Sequence, residues 1–225
     1  MNNIFLALAL FLIAAFTQAQ PVLQYPPAIP AIASEQQALQ DRLLSVPANQ
    51  RNEQQWRQLA LVSVALLTSA DSPQMAEAEL MLSQAQQALP DDVLLMAIEG
   101  SLYCIQAGSK QVDGMQAMAL LNRGFRQLDR AVMKEPNNVG PRLQRAITAS
   151  RTPAFLGKRA LAQQDYKTLI ALIPATGQTQ ELRSMLFYQL GELIVPDYPA
   201  QAKSLWQQAA ALSAGEWSER ARKQL

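Results

Sequence analysis

Apolar residues recur at helical spacing along most of this chain, and prolines or short polar runs interrupt the pattern at intervals. From Glu53 to Ser69, one face carries Trp56, Leu59, Ala60, Val62, Val64, Leu66 and Leu67, the three-to-four spacing of an amphipathic helix. Asp71-Ser72-Pro73 then breaks the run, with Asp71 or Ser72 as the cap of a following helix and Pro73 at its first position. That helix, Met75 to Leu89, stops at Pro90-Asp91-Asp92. So short a connection predicts an antiparallel hairpin. The same punctuation predicts helices over Val93 to Ala107 (with Gly108 as C-cap), Gly114 to Lys134, Val139 to Ser150, Lys158 to Ile173, Leu182 to Val195, Pro199 to Leu212 and Glu216 to Leu225. Pro136-Asn137-Asn138 reads as a turn, and Arg151 to Gly157 as an irregular loop. No stretch alternates as a strand would, so the expected fold class is all-α.

The N-terminal fifth is different. Ile4 to Phe16 is an unbroken run of Ala, Leu, Ile and Phe. It is too short to cross a bilayer and matches the apolar core of a signal peptide, with Thr17-Gln18-Ala19 supplying small residues before a cut after Ala19. The α-amino group of Met1 is the only charge ahead of it, and no cysteine stands at its end, so the pattern is not that of a bacterial lipoprotein. Residues 1–19 are therefore read as a signal peptide, with no stable membrane span after cleavage and a periplasmic or secreted destination. Residues 20–49 form a proline-rich leader in which Pro21, Pro26, Pro27 and Pro30 forbid a helix and favour an extended backbone. Ser34 to Ser45 is expected to be a short helix, with Ser34 and Gln37 as a capping box and Leu39, Leu43 and Leu44 on the face that packs against the domain. Residues 50–225 form the main domain.

Within that domain the pattern repeats. Pro90, Pro136 and Pro174 end successive hairpins and lie 46 and 38 residues apart. Ala78-x3-Leu82, Ala85 and Pro90 make one set; Gly100-x2-Tyr103, Gly124-x3-Leu128, Ala131 and Pro136 make the next. Ala162-x3-Tyr166 precedes Pro174, and Phe187-x2-Leu190-Gly191-x2-Ile194 is followed by Ala202-x3-Trp206. Small residues stand where two helices would touch, large ones where a gap needs filling, and a proline stops the second helix. Over roughly Arg51 to Leu225 this resembles the tetratricopeptide repeat, whose signature is W-x2-L-G-x2-Y, A-x3-F and a terminal Pro over a period of about 34 residues. The longer spacings place insertions near Gly108 to Met115 and near Arg151 to Gly157. The third unit also departs from the signature, with Arg142 and Arg145 at the positions of Trp and Leu. The resemblance implies an α-solenoid of three to four antiparallel helical hairpins with a C-terminal capping helix. It also implies a concave groove, lined by Val93 to Gln106, Val139 to Ser150 and Leu182 to Ile194, that holds a peptide or protein segment.

Composition narrows the chemistry. Nineteen Lys and Arg against 18 Asp and Glu leave a net charge of +1, without the basic excess a general nucleic-acid binder needs. The chain has no His and a single Cys, Cys104, so zinc sites of the Cys/His kind and an internal disulfide are excluded, and no cofactor or metal is expected. Cys104, between Leu102, Tyr103 and Ile105, is expected to be buried. Met75, Met81, Met96, Met115, Met118, Met133 and Met185 are expected to fill the core. Any catalysis would rest on carboxylates such as Glu99, Glu181, Glu192 or Glu216. A carboxylate-dependent cell-wall hydrolase is accordingly the one enzyme class left, although nothing in the sequence places two acids across a common cleft.

The most unusual feature is a run of charge of one sign. Between Val139 and Ala160 stand Arg142, Arg145, Arg151, Lys158 and Arg159, with no Asp or Glu. Paired guanidinium hydrogen bonds suit carboxylates or phosphates, so these five residues, with Phe155 at the tip of the adjoining loop, are the candidate partner-binding residues of an anionic site, and the partner they would suit is an acidic peptide or chain terminus. The competing reading has Arg142 and Arg145 paired with Asp129, Glu135 or Asp165 inside the domain. The expected function is that of an exported protein–protein interaction module, an adaptor or assembly factor of a cell-envelope complex, and not an enzyme. The alternative from another class is a periplasmic ligand-binding component of a transport system.

Overall fold

The computed structural model describes residues 22–212 and 215–225. The predicted signal peptide and its cleavage point after Ala19, together with Gln20 and Pro21, lie outside the described residues. The chain is all-helical, with ten α-helices among the described residues: α1 (Ala33–Leu44), α2 (Glu53–Ala65), α3 (Met75–Ala88), α4 (Val93–Gln106), α5 (Gly114–Lys134), α6 (Val139–Arg151), α7 (Arg159–Leu172), α8 (Gln180–Ile194), α9 (Pro199–Leu212) and α10 (Glu216–Arg222). Short 3-10 turns occur at Ala48–Gln50, Ala154–Leu156 and Gly177–Thr179.

Local chemistry starts several of these helices where the sequence places them. Asp92 and Asn138 cap α4 and α6 by accepting from Leu95 N and Gly140 N. Complete capping boxes open α2 (Asn52 with Gln55) and α5 (Asp113 with Gln116). Satisfying the otherwise orphaned N–H groups of a first turn stabilises a helix by about 1 kcal/mol per cap. Three expected caps differ. The Ser34/Gln37 box does not form, because α1 starts one residue earlier and Gln37 instead donates to Gln40 and Asp41. Neither Asp71 nor Ser72 caps α3: Asp71 accepts from Ser109 Oγ and Lys110 N of the loop after α4, and Ser72 donates to Gln74. Gly108 is not a left-handed C-cap; Gly157 is the only described glycine at positive φ, +69°. Helix α2 also stops four residues short of Ser69. Its last turn tightens as Leu67 N bonds to Val64 O, which folds Leu66 and Leu67 back onto the core.

Packing is local in the chain. Helix α2 lies on α3, α4 on α5, α6 on α7 and α8 on α9, while α2 touches α4, α4 touches α6, and α10 rests on both α8 and α9. Helix α1 packs on α2, burying Leu39 and Leu43 beside Trp56 and Leu59, and Gln40 donates to Ser63 Oγ at 3.0 Å. Two apolar clusters result, and α4 belongs to both. Leu94, Leu95, Ile98 and Leu102 face the N-terminal cluster, and Val93 and Ala97 the larger C-terminal one. Each such large aliphatic side chain taken out of water contributes about 1.5–3 kcal/mol.

Glycine decides two of the contacts. At Gly100 and Gly124 the backbones of α4 and α5 meet, and a Cβ on Gly124 would lie 2.5 Å from Gly100 O and 2.5 Å from Cys104 Sγ. In α8, a Cβ on Gly191 would strike the indole of Trp206 at 2.5 Å. The methionines depart from expectation: Met81 is buried, but Met115, Met118 and Met133 are exposed. At 21 residues α5 outruns the 14 of its partner α4, so its ends have no helix of equal length to lie against.

Candidate functional site

Arg142 and Arg145 stand one helical turn apart on α6, so both side chains leave the same face. That face looks at α7, where the Asp165 side chain is only 1% exposed. The carboxylate of Asp165 accepts from Arg145 Nε at 2.7 Å, Arg145 Nη2 at 2.8 Å and Arg142 Nη1 at 3.1 Å. Arg145 Nη1 also reaches Asp129 of α5 at 2.7 Å. The paired reading of these arginines is therefore what the structure displays, with Asp129 and Asp165 as partners. Glu135 accepts from Asn138 instead. Desolvation would lower the Arg145 pKa, yet its hydrogen bonds and charge attraction to Asp165 and Asp129 outweigh that and hold it above its usual range. Two guanidinium groups and one deeply buried carboxylate thus join α6 to α7 as an ionic plug.

The other candidate residues are not brought to one point. Arg151 is exposed at the end of α6. Phe155, in the 3-10 turn after it, is 86% exposed, which agrees with its place at a loop tip. Lys158 is half-buried with its ammonium 4.3 Å from the Phe125 ring centroid, a cation–π contact. Arg159 donates through Nε and Nη2 to Leu193 O and pairs with Asp197 at 3.0 Å, so it caps the C-terminal end of α8. An external carboxylate would have to displace an internal partner to use Arg142, Arg145 or Arg159.

A second arrangement had no counterpart in the sequence reading. Residues 22–32 run extended, as their prolines require, but they are seated on the helical domain. Gln24 and Asn138 form an isolated parallel bridge, with Gln24 N donating to Asn137 O at 3.3 Å and Val139 N donating to Gln24 O at 2.8 Å. Asn138 Nδ2 adds a bond to Gln24 Oε1 at 3.2 Å. Farther along, Gln58 of α2 donates to Ala28 O at 2.7 Å, and Arg220 of α10 donates to Ala31 O at 3.3 Å. Leu23 packs on the C-terminal cluster and Ile29 on the N-terminal one. An open cleft of about 400 Å³ borders this segment at Gln24, Tyr25 and Pro26. Its far walls carry Glu53, Asp91, Asp92 and Glu135, with Arg57 as the one cation of the lining. Arg57 is already bonded to Asp92 at 2.6 Å and to Glu53 at 3.0 Å, so the cleft is net acidic. The prolines signal extension, but no local pattern shows that Gln24 meets Asn138 more than a hundred residues later.

The four carboxylates kept for catalysis are occupied separately. Glu99 accepts from Tyr103 Oη at 2.9 Å and Gln127 Nε2 at 2.7 Å. Glu216 accepts from Arg220 at 2.9 Å, and Glu181 from Trp217 N at 3.4 Å. Burial pushes Glu192 above its ordinary range, with a hydrogen bond from Tyr188 acting against it. Among the described residues, no three His, Cys, Asp or Glu side chains cluster as a metal ion would require, and no helix is long and apolar enough to cross a membrane. No protein-family model, curated protein or solved structure matches the chain.

Proposed function

We propose that this chain is an exported protein–protein interaction module of the tetratricopeptide type, an adaptor or assembly factor in a cell-envelope complex. In this reading its helices form antiparallel hairpins stacked as a short solenoid, and α10 caps the last pair. The observation that carries it is the locality of the packing: every helix pair in substantial contact is at most two helices apart in the chain. Stacked repeats have this property because each unit buries its apolar face only on its neighbours. Close contacts at small residues support it: a Cβ on Gly100 would meet Gly124 O and Leu128, and one on Gly191 would meet the Trp206 indole. Proteins built this way present long surfaces and not enclosed reaction pockets, and the cleft of about 400 Å³ here is open and polar-walled.

The test is crosslinking in the native cell envelope followed by mass spectrometry, with N-terminal sequencing of the recovered protein. A reproducible partner protein and a mature chain beginning at Gln20 are expected. Recovery from the cytoplasm with Met1 in place would end the export reading, and absence of any crosslinked protein would end the adaptor reading.

A further inference from the structure

We propose that the segment Val22–Ile32 is a displaceable intramolecular ligand. It occupies the surface on which the helical domain takes an extended, proline-containing segment of a partner, one that carries a basic side chain where this chain carries Tyr25. The inference rests on the interaction-module reading above and names the partner's chemistry.

The seating is a recognition of main chain. Three separate elements supply it: Asn137–Val139 at the start of α6 pair with both backbone groups of Gln24, Gln58 of α2 takes Ala28 O, and Arg220 of α10 takes Ala31 O. Bonds of this kind read the backbone of an extended peptide whatever its side chains, as strand addition does. Side chains add little to this: Leu23 and Ile29 each rest on one core cluster, and Gln24 Oε1 accepts from Asn138 Nδ2. Pro26 lies against the bare face of Gly140, where an added Cβ would come within 3.4 Å of it. Prolines set the extended backbone in advance and so lower the ordering cost of docking. An incoming peptide with the same backbone, two apolar anchors and a proline between them would make the same contacts.

The segment also fits its seat incompletely. Val22, Tyr25 and Ile32 remain exposed, Val22 at 88%, and a single bridge is its only sheet-like pairing. It carries no charge between residues 22 and 34. Yet Tyr25 borders a cleft in which Glu53, Asp91, Asp92 and Glu135 face Arg57 alone. A cation at the Tyr25 position meets that acidic wall, and the resident segment has none to offer. A segment with few buried contacts opens at low free energy, and the resident sequence leaves the electrostatic part of the surface to a competitor.

The test uses the full chain, a full-chain Leu23→Asp/Gln24→Pro variant that weakens the resident segment, and a fluorescent synthetic peptide of residues 22–32. Binding is read by anisotropy, with circular dichroism as the check on helicity. For a tethered competitor at an effective concentration on the order of 1 mM and a peptide Kd on the order of 10 μM, the variant binds the peptide about 100-fold more tightly than the parent chain does. A Tyr25→Arg peptide binds more tightly than a Tyr25→Glu peptide, and salt narrows the gap. Adding Gln58→Ala to the variant weakens both. Equal binding to parent and variant, or none to a helical variant, overturns the proposal, and a tighter Tyr25→Glu peptide overturns its charge assignment. The parent chain gives an independent reading by amide exchange. The Val139 N–H, whose acceptor is Gln24 O, is expected to exchange at least about 100-fold faster than the Leu128 N–H inside α5. Equal protection would make the segment an integral part of the core. A partner crosslinked in the envelope while the segment stays shut sinks this inference alone; peptide capture with no envelope partner sinks the adaptor reading alone.

Discussion

Gly124→Ala is the sharpest probe of how α4 and α5 are held. The added Cβ would sit 2.5 Å from Gly100 O, 2.5 Å from Cys104 Sγ and 3.2 Å from Cys104 N. Ordinary contact begins near 3.4 Å, so the two helices must part by roughly 0.9 Å. Two of the three obstacles are backbone atoms, which cannot swing aside. A gap of 0.5–1 Å forfeits about a quarter to a half of the dispersion attraction across it, and the loss falls on Leu128, Ala131 and the residues they touch. Overpacking of this kind costs about 3 kcal/mol at the upper end of its usual range. Replacing Gly by Ala in a helix interior returns about 1 kcal/mol. The expected net loss is about 2 kcal/mol, near a thirtyfold drop in the folded-to-unfolded ratio, measured by urea unfolding followed through far-UV circular dichroism. Gly114→Ala is the control, because nothing lies within 4 Å of its Cβ position; it should be neutral or slightly stabilising. In a Cys104→Ala background the sulfur is gone but the Gly100 carbonyl remains, so Gly124→Ala should still destabilise, though less. A Gly124→Ala protein as stable as its parent, or full rescue by Cys104→Ala, would refute the backbone-contact reasoning.

The ionic plug gives a second expectation. Asp165→Ala strands two half-buried guanidinium groups and should cost about 3 kcal/mol, at the low end for breaking a buried pair because Arg145 keeps Asp129. Asp129→Ala, whose side chain is 48% exposed, should change stability by less than about 1 kcal/mol; equal effects in urea melts would show that burial does not set the difference. Burial pushes the Cys104 thiol from its ordinary 9.0 up to about 12, with the charge of Lys158 acting weakly against it. Since the folded value is the higher one, its contribution to stability is complete below pH 9 and is lost as pH rises towards 12. Cys104→Ala should flatten that decline in urea midpoints, and the native thiol should react with a disulfide reagent at pH 8 far more slowly than the unfolded chain does. Rapid native labelling would contradict both. Phe155→Ser should leave the unfolding midpoint within about 0.5 kcal/mol, as for an exposed side chain, while weakening recovery of a crosslinked partner if the loop tip is a contact; a large stability loss would mean that Phe155 is not free.

The arginine-bearing helix shows how a sequence can name a feature and leave its use open. Five cations without an acid between Val139 and Ala160 stand out along the chain, but nothing in one dimension reveals that Asp165, beyond that window, turns its carboxylate back towards α6. Helix pairing makes that choice. Once α6 lies on α7, Arg142 and Arg145 face a site closed to water, and a carboxylate there is tolerable only because both guanidinium groups reach it. The same docking puts Lys158 over Phe125 and Arg159 against the end of α8.

Secondary structure was almost wholly written in the chain's own periodicity. The apolar stripes and prolines predict the helices from Met75 to Leu212 with ends within two residues of those observed, because local hydrogen bonding, caps and chain breaks act over one or two turns. Helical spacing likewise marks Gly100, Gly124, Gly191 and Trp206 as small and large positions on helix faces, while the packing of one helix on another decides which of them meet. Tertiary structure alone decided which caps formed, which methionines α5 left exposed, and which cations met internal acids. It also decided where the proline-rich leader is seated on the helical domain. Those outcomes depend on contacts between residues far apart in the chain, and no pattern within a helix or a loop carries that information.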